Sequence, residues 1–332
     1  QLLNTHNKEK ITFQILPGQE EGTAITYSTA IVAGMIEKMK YGIIMAALYT
    51  VSLLPLKVLY AVSSCLYPVV YHLWRYRRKT VRRNITCSFP EKGVQEIILI
   101  EKEYYRHFCD CVVETIKLLH ISDKELNRRV QLTNSELIKQ HSSDGRPVVL
   151  YLGHYGNWEW AQAITRQYSR PAISGEIYRP MHSKVMEKVM RRLRSRFSTL
   201  LIPQKQAFRT LLRMKQEGKQ YLVGFIADQR PNSKNLNHWT TFLHQDTAYS
   251  IGGEEIGKRI NAHYFYLDVE KVSRGYYKMS FIPIIPQRKN EAHPYTLQYM
   301  RMMEATITRA PQYWLWSHKR WRFPKSDNKT II

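Results

Sequence analysis

From residue 147 to residue 309, short apolar runs bounded by turn residues alternate with amphipathic stretches, which restricts the chain to a sheet with helices packed on its faces. The spacing predicts strands over 147–152, 171–177, 199–202, 220–227, 262–270 and 276–284, the last two as an antiparallel pair. Helices are expected over 157–168, 182–196, 205–217, 250–261 and 294–309, with Gly252-Gly253-Glu254-Glu255-Ile256-Gly257 as a loop leading into one of them. Upstream, Ile97, Ile100, Tyr104, Phe108, Val112, Ile116 and Leu119 recur near helical spacing, so 94–140 reads as a helical layer. With 332 residues, 44% of them hydrophobic, the chain can bury one large α/β core and carry an appendage.

In such sheets, polar residues just past the carboxyl ends of strands gather in one crevice. Three strands end in this way: the first at Gly153-His154-Tyr155-Gly156-Asn157-Trp158-Glu159, the second at Tyr178-Arg179-Pro180, the third at Asp228-Gln229-Arg230-Pro231. A hydroxyl nucleophile is inert at its own pKa, and an imidazole held by a carboxylate is one standard way to activate it. His154 is the candidate base and Glu159 its candidate orienter. Five positions within one helix would put the two side chains about 140° apart, so His154 is expected in the turn. Asn157 would then cap a helix whose first turn holds Glu159 ionised. A structural histidine at a strand end and a first-turn charge satisfy the same spacing; the convergence of Arg179, Asp228 and Gln229 on one crevice favours chemistry.

Residues 1–34 are polar and β-branched and read as an extension, with Met35-Ile36-Glu37-Lys38-Met39-Lys40 resembling an amino terminus. From 41 to 73 the sole Lys, Arg, Asp or Glu is Lys57, and Pro55 divides the stretch into two short halves. Fourteen helical residues span about 21 Å, less than the roughly 30 Å hydrocarbon core. Lys38 and Lys40 precede the stretch, and Arg75, Arg77, Arg78, Lys79, Arg82 and Arg83 follow it. Positive charge at both ends favours an interfacial or re-entrant helical hairpin over a crossing, with the basic flank on anionic headgroups. A tilted span and a buried core hairpin remain open. The expected division is therefore 1–34 as extension, 35–83 as membrane-associated anchor, 84–324 as the main domain and 325–332 as a tail.

The net charge of +23 implies an anionic partner: nucleic acid, a membrane surface or an acidic substrate. The carboxyl-terminal cluster Arg309-Ala310-Pro311-Gln312-Tyr313-Trp314-Leu315-Trp316-Ser317-His318-Lys319-Arg320-Trp321-Arg322 interleaves basic and aromatic residues, a pattern that suits base stacking or a membrane interface. Nucleic acid is the weaker partner, because it leaves the apolar stretch at 41–73 without a role and no recognised nucleic-acid motif is present. Four cysteines, Cys65, Cys87, Cys109 and Cys111, match neither a zinc site nor a disulfide scaffold. There is no G-x-S-x-G elbow, P-loop, dinucleotide fingerprint or H-E-x-x-H.

Several blocks together resemble the late acyltransferases of lipid A biosynthesis, the lauroyl and myristoyl type, within the wider lysophospholipid acyltransferase group. These are Arg82-Arg83-Asn84-Ile85-Thr86-Cys87-Ser88-Phe89-Pro90-Glu91-Lys92, the histidine-four-residues-acid motif from His154 to Glu159, Ile177-Tyr178-Arg179-Pro180, Ala227-Asp228-Gln229 and the carboxyl-terminal cluster. The likeness covers about 35–324. It implies a glycerol-phosphate-acyltransferase-like mixed sheet flanked by helices, and transfer of a fatty acyl chain from an acyl carrier protein thioester to a hydroxyl of a membrane glycolipid, a lipid A precursor. It further implies His154 as general base oriented by Glu159, with Asn157, Arg179, Asp228 and Gln229 around the substrate. No metal or other cofactor is required, and the expected location is the cytoplasmic face of the bacterial inner membrane. The continuation Arg230-Pro231-Asn232-Ser233-Lys234-Asn235 departs from the pattern and leaves the acceptor open to other glycolipids or lysophospholipids.

Overall fold

The computed structural model describes residues 20–167, 173–232 and 236–325. Most of the expected extension, residues 1–19, and the tail from 326 lie outside the described residues, as do 233–235. Helix α1 (Glu20–Leu53) runs unbroken through position 34, and α2 (Leu56–Pro68) starts after Pro55. Pro68 lacks an amide hydrogen for the helical ladder, and the next turn widens into a π-helix, Val69–Leu73. Then come α3 (Arg78–Ser88), α4 (Val94–Lys117), α5 (Asp123–Arg129), β1 (Val130–Thr133) and α6 (Ser135–His141). The layer expected to be helical over 94–140 is thus broken by β1, a four-residue strand too short to register as a change of period.

The alternating region follows as β2 (Val148–Leu152), α7 (Ile164–Gln167), β3 (Ile173–Tyr178), α8 (Lys184–Ser195), β4 (Leu200–Pro203), α9 (Ala207–Gln216) and β5 (Tyr221–Ile226). A small hairpin, β6 (Trp239–Phe242) with β7 (Gln245–Ala248), precedes α10 (Gly252–Ile260), β8 (His263–Ser273), β9 (Tyr276–Pro283) and α11 (Pro294–Arg309). The main sheet has the order β1-β9-β8-β2-β5-β3-β4. Its pairs are parallel except β8 with β9, the expected antiparallel pair. All five residues of β2 are buried, as a central strand covered on both faces requires.

Two local expectations are corrected. The glycine-rich piece expected as a loop forms the first turns of α10. A Cβ at Gly253 would lie 2.5 Å from the Tyr151 hydroxyl, and one at Gly257 would lie 2.4 Å from that of Tyr264, so the missing side chains let α10 approach the sheet. The helix expected from 157 is a 3-10 helix, Trp158–Ala163, running into α7, and Asn157 makes no side-chain cap there.

Helix α2 packs against α4, burying Leu56 and Leu59, with Ser63 donating to Asp110 at 2.7 Å. The buried Lys117 ammonium donates to the carbonyls of Ser52 and Leu54, each at 2.8 Å, and so closes the end of α1. On the other side of α2, Val58, Val62, Leu66, Val69 and Leu73 are exposed. Leu56–Leu73 is long and apolar enough to cross a membrane by length and composition. In the basic flank, Arg78 and Arg82 both pair with the buried Glu101, and Arg77 donates to the Ser317 carbonyl at 3.1 Å. Lys57, Arg75, Lys79 and Arg83 are exposed.

Candidate active site

The register of the two central strands builds the site. Leu152 of β2 lies opposite Ile226 of β5, so the residues two positions past each strand end, His154 and Asp228, meet. Asp228 is buried, and its Oδ1 accepts from His154 Nδ1 at 2.7 Å. Its Oδ2 accepts from the His154 backbone amide at 2.9 Å and from Trp314 Nε1 at 2.8 Å. Burial would raise the Asp228 carboxyl, but His154 and these donors hold it below the usual carboxylate value. An ionised carboxylate only accepts, which places the imidazole hydrogen on Nδ1 and leaves Nε2 with its lone pair free to act as a base. In this structure the Gln229 amide nitrogen donates to that lone pair at 3.1 Å. The Trp158 ring meets the imidazole edge-on, with centroids 5.0 Å apart.

Glu159 does not orient His154. Its two oxygens accept from Arg194 Nη2 and Nε at 2.6 and 3.0 Å, and the same guanidinium reaches Glu176 at 3.2 Å. The cause is local: on the 3-10 helix the Glu159 side chain turns toward α8 and leaves Nδ1 to Asp228. Asn157, expected near substrate, is buried and donates to Glu114 at 2.7 Å, so it holds the loop from beneath. Arg179 is exposed at the end of β3. Among the described residues no group of His, Cys, Asp and Glu could hold a metal ion.

The carboxyl-terminal cluster completes the site from the other end of the chain. Trp314 and Trp316 are buried rather than surface aromatics. The Gly156 amide donates to the Tyr313 carbonyl at 2.9 Å, and the Leu315 amide to the His154 carbonyl at 3.1 Å. Asn84 of α3 in turn donates to the carbonyls of Trp316 and His318, at 2.9 and 3.0 Å. An imidazole paired to a carboxylate at the mouth of an α/β crevice occurs on many folds, so the assignment needs the whole chain. Residues 35–323 match the model of the bacterial lipid A biosynthesis acyltransferase family.

The chain belongs to that family. Two curated relatives agree with this: a lipid A biosynthesis palmitoleoyltransferase of Escherichia coli (strain K12) and a lipid A biosynthesis acyltransferase of Shigella flexneri. Each is 22% identical over 250 residues, covering 74% of this chain and 79% of the relative.

In this acyltransferase two buried supports hold the loop that carries His154. Glu114 of α4 is buried, and its carboxylate accepts from Asn157 at 2.7 Å, Tyr277 at 2.8 Å and Tyr60 of α2 at 2.9 Å. Burial raises its pKa, and the three donors oppose that. Hydrogen bonds to a charged group contribute roughly 1.5–3 kcal/mol each, so Glu114 ties α2, the sheet and the loop together. His107, also on α4, shares a hydrogen bond of 3.2 Å with the Gly156 carbonyl through Nε2, and Lys271 reaches its Nδ1 at 3.1 Å. A carbonyl accepts only, so Nε2 carries the hydrogen, and burial together with Lys271 lowers the pKa well below the usual value and keeps the ring neutral. Neither support has a sequence signal beyond a polar residue on an otherwise apolar helix face.

Proposed function

We propose that this lipid A acyltransferase moves a fatty acyl group from an acyl carrier protein thioester to a hydroxyl of a lipid A precursor, at the cytoplasmic face of the bacterial inner membrane, with His154 as general base. The observation that carries the reading is the His154–Asp228 pair just past the ends of β2 and β5, with the Trp158 ring against the imidazole. Behind Trp158 lies a cavity of about 50 Å³, lined by Leu150, Leu152, Ile164, Leu222, Gly224 and Ile226 on its apolar side and by Glu159, Gln162, Glu176 and Thr199 on the other. Trp158 belongs to its wall and also meets the imidazole edge-on, so an acyl chain that widens this cavity on entering would bring its thioester carbonyl beside Nε2. The acceptor hydroxyl displaces the Gln229 amide and gives its proton to Nε2 while its oxygen attacks the carbonyl carbon. The tetrahedral intermediate then expels the thiolate, which takes the proton from the imidazolium. Asp228 keeps Nδ1 protonated and stabilises the positive ring.

Purified protein given a carrier-protein thioester and a lipid acceptor should consume both and form the acylated lipid. Thioester loss that is independent of acceptor would mark a hydrolase instead, and the same assay with a coenzyme A thioester separates the donors. Mass spectrometry of lipids from cells lacking the protein names the acceptor by the acyl chain that disappears.

Chain length follows from this cavity. A Cβ at Gly224 would meet Leu152 at 3.6 Å and the Gly175 carbonyl at 3.7 Å, ordinary contacts, so Ala fits and a larger side chain fills the cavity. Gly224→Val and Gly224→Leu should shift the preferred donor toward shorter chains. At about 0.8 kcal/mol per buried methylene, losing room for two lowers kcat/KM for the original donor about 10-fold. Competition between donors of different length, read by lipid mass spectrometry, checks this; an unchanged preference places the chain elsewhere.

The outer face of α2 and the π-helix after it is read as the membrane-docking element because Val58, Val62, Leu66, Val69 and Leu73 form an exposed apolar stripe at helical spacing. Leu66→Asp together with Leu73→Asp should move most of the protein from the membrane to the soluble fraction, since each Asp costs up to about 3 kcal/mol in hydrocarbon. Unchanged sedimentation with membranes rejects the stripe as the anchor.

A further inference from the structure

Beside the His154–Asp228 pair lies a group of cations with no anion to hold. Arg320 is 3% exposed, and its Nε and Nη1 are buried without a hydrogen-bond partner among the described residues. The same holds for Nε and Nη1 of Arg230, whose guanidinium lies 4.5 Å over the Phe323 ring, and for Nδ1 of His318. These groups share one place. The chain from Leu315 to Arg320 hangs from the His154 carbonyl, and Arg230 follows directly on Gln229.

Burying an unpaired charge costs several kcal/mol, so the buried Arg320 guanidinium, with the half-buried Arg230 beside it, calls for a physical account. Asp228 does not supply one. Both its oxygens are already committed to His154 and Trp314, and its charge reaches Arg320 through space alone. Burial and the neighbouring Arg230 press on Arg320 strongly enough to bring its pKa down to about 10, and burial holds His318 neutral with a pKa pushed down to about 4. The arrangement has the composition of an anion site: planar, fork-shaped donors with unpaired N–H groups and a neutral ring nitrogen beside them.

We propose that Arg320, Arg230 and His318 form a pocket for a phosphate group carried by one of the two substrates, the acceptor glycolipid or the prosthetic arm of the acyl carrier. The proposal rests on the acyl-transfer reading of His154, and it gives that site its anchor: phosphate held by Arg320 and Arg230 fixes one substrate while His154 acts on the reacting hydroxyl. The cationic pair is then a cost to the unliganded fold that substrate removes.

The full-length protein in detergent tests this with inorganic phosphate as the probe, by thermal melting and by fluorescence of the tryptophans near the pocket. Phosphate should raise the melting temperature saturably. Arg320→Met, which keeps the volume and removes the charge, should melt at or above the temperature of the unchanged protein and bind phosphate at least 10-fold more weakly. Arg230→Met, nearer the surface, provides a second variant should the first fail to fold. In transfer assays both variants should raise KM at least 10-fold. If that penalty vanishes with an acceptor stripped of phosphate, the acceptor supplies the group; if it vanishes with an acyl thioester of a phosphate-free thiol, the donor supplies it. Unchanged phosphate binding in both variants overturns the pocket, as does a loss of stability in Arg320→Met with KM intact. The binding arm needs no turnover, so an absence of acyl transfer would count against the proposed function and leave the pocket to be judged by phosphate alone.

Discussion

Replacing Asp228 by Asn is expected to lower acyl transfer about 10³- to 10⁴-fold in a protein that still melts cooperatively. The carboxylate takes three donors, two of them on Oδ2. An Asn oxygen can keep that pair, which leaves the amide NH₂ facing His154 Nδ1. The imidazole then moves its hydrogen to Nε2, the nitrogen that receives the proton in the proposed mechanism. Gln229 can turn its amide to accept from that hydrogen, so the resting geometry survives while the base is lost. The carboxylate also leaves a pH signature. Its pKa is depressed in the fold, so the stability it adds is present above the ordinary carboxylate range and fades as pH falls through the lowered value; Asp228→Asn should remove that part of the acid-side slope. Glu159→Gln is the contrasting variant. It weakens a buried ion cluster with Arg194 and Glu176, whose disruption costs up to about 3–5 kcal/mol, so melting should fall by several degrees while transfer is retained to a much larger degree. Loss of transfer in Glu159→Gln at an unchanged melting temperature would return the orienting role to Glu159.

His154→Ala should remove about 10²- to 10⁴-fold of the rate, the range that a positioned base supplies. Backbone contacts set the loop, since the amide at 154 still donates to Asp228 and the carbonyl still accepts from Leu315. Membrane binding and the phosphate response should therefore remain, and thioester hydrolysis should fall together with transfer if both use the same nitrogen. Substantial turnover in this variant, measured with a saturating donor, would sink the mechanism.

The strand-helix alternation was legible because it is a property of neighbouring residues. Every strand expected between 147 and 284 appears, displaced by no more than three residues at either end. The short β1 and the hairpin of β6 and β7 escaped, since four residues carry too little pattern to be told from a turn. At the site, His154 could be found from its strand end and its glycine-bounded turn. Its partner could not. Glu159 is five positions away along the chain, whereas Asp228 is 74 positions away and adjacent only because β2 and β5 pair in register. The expectation that Asp228 and Gln229 lie around the substrate stops one step short of the observed contact with His154. The signal that would have corrected this is symmetry: each residue lies two positions past the end of a strongly apolar strand, and such positions meet when the strands are neighbours. The tryptophans of the carboxyl-terminal cluster were read as a surface pattern because composition records aromaticity and charge but not burial.

The strap formed by residues 313–318 also sets an order of events. It brings Trp314 to Asp228, and it is held by Asn84 and by Arg77, the latter 240 positions earlier in the chain. A ribosome releases α1 and α2 long before it releases this strap, so, on the proposed docking of α2, the nascent chain reaches the bilayer while the carboxylate still lacks its indole donor and the loop around His154 its backbone partners. Contacts so far apart in sequence are costly to close and form late in folding. On the proposed function, chemistry is thereby withheld until almost the whole polypeptide exists, and a copy cut short before Trp314 should sit at the membrane without being able to consume an acyl donor.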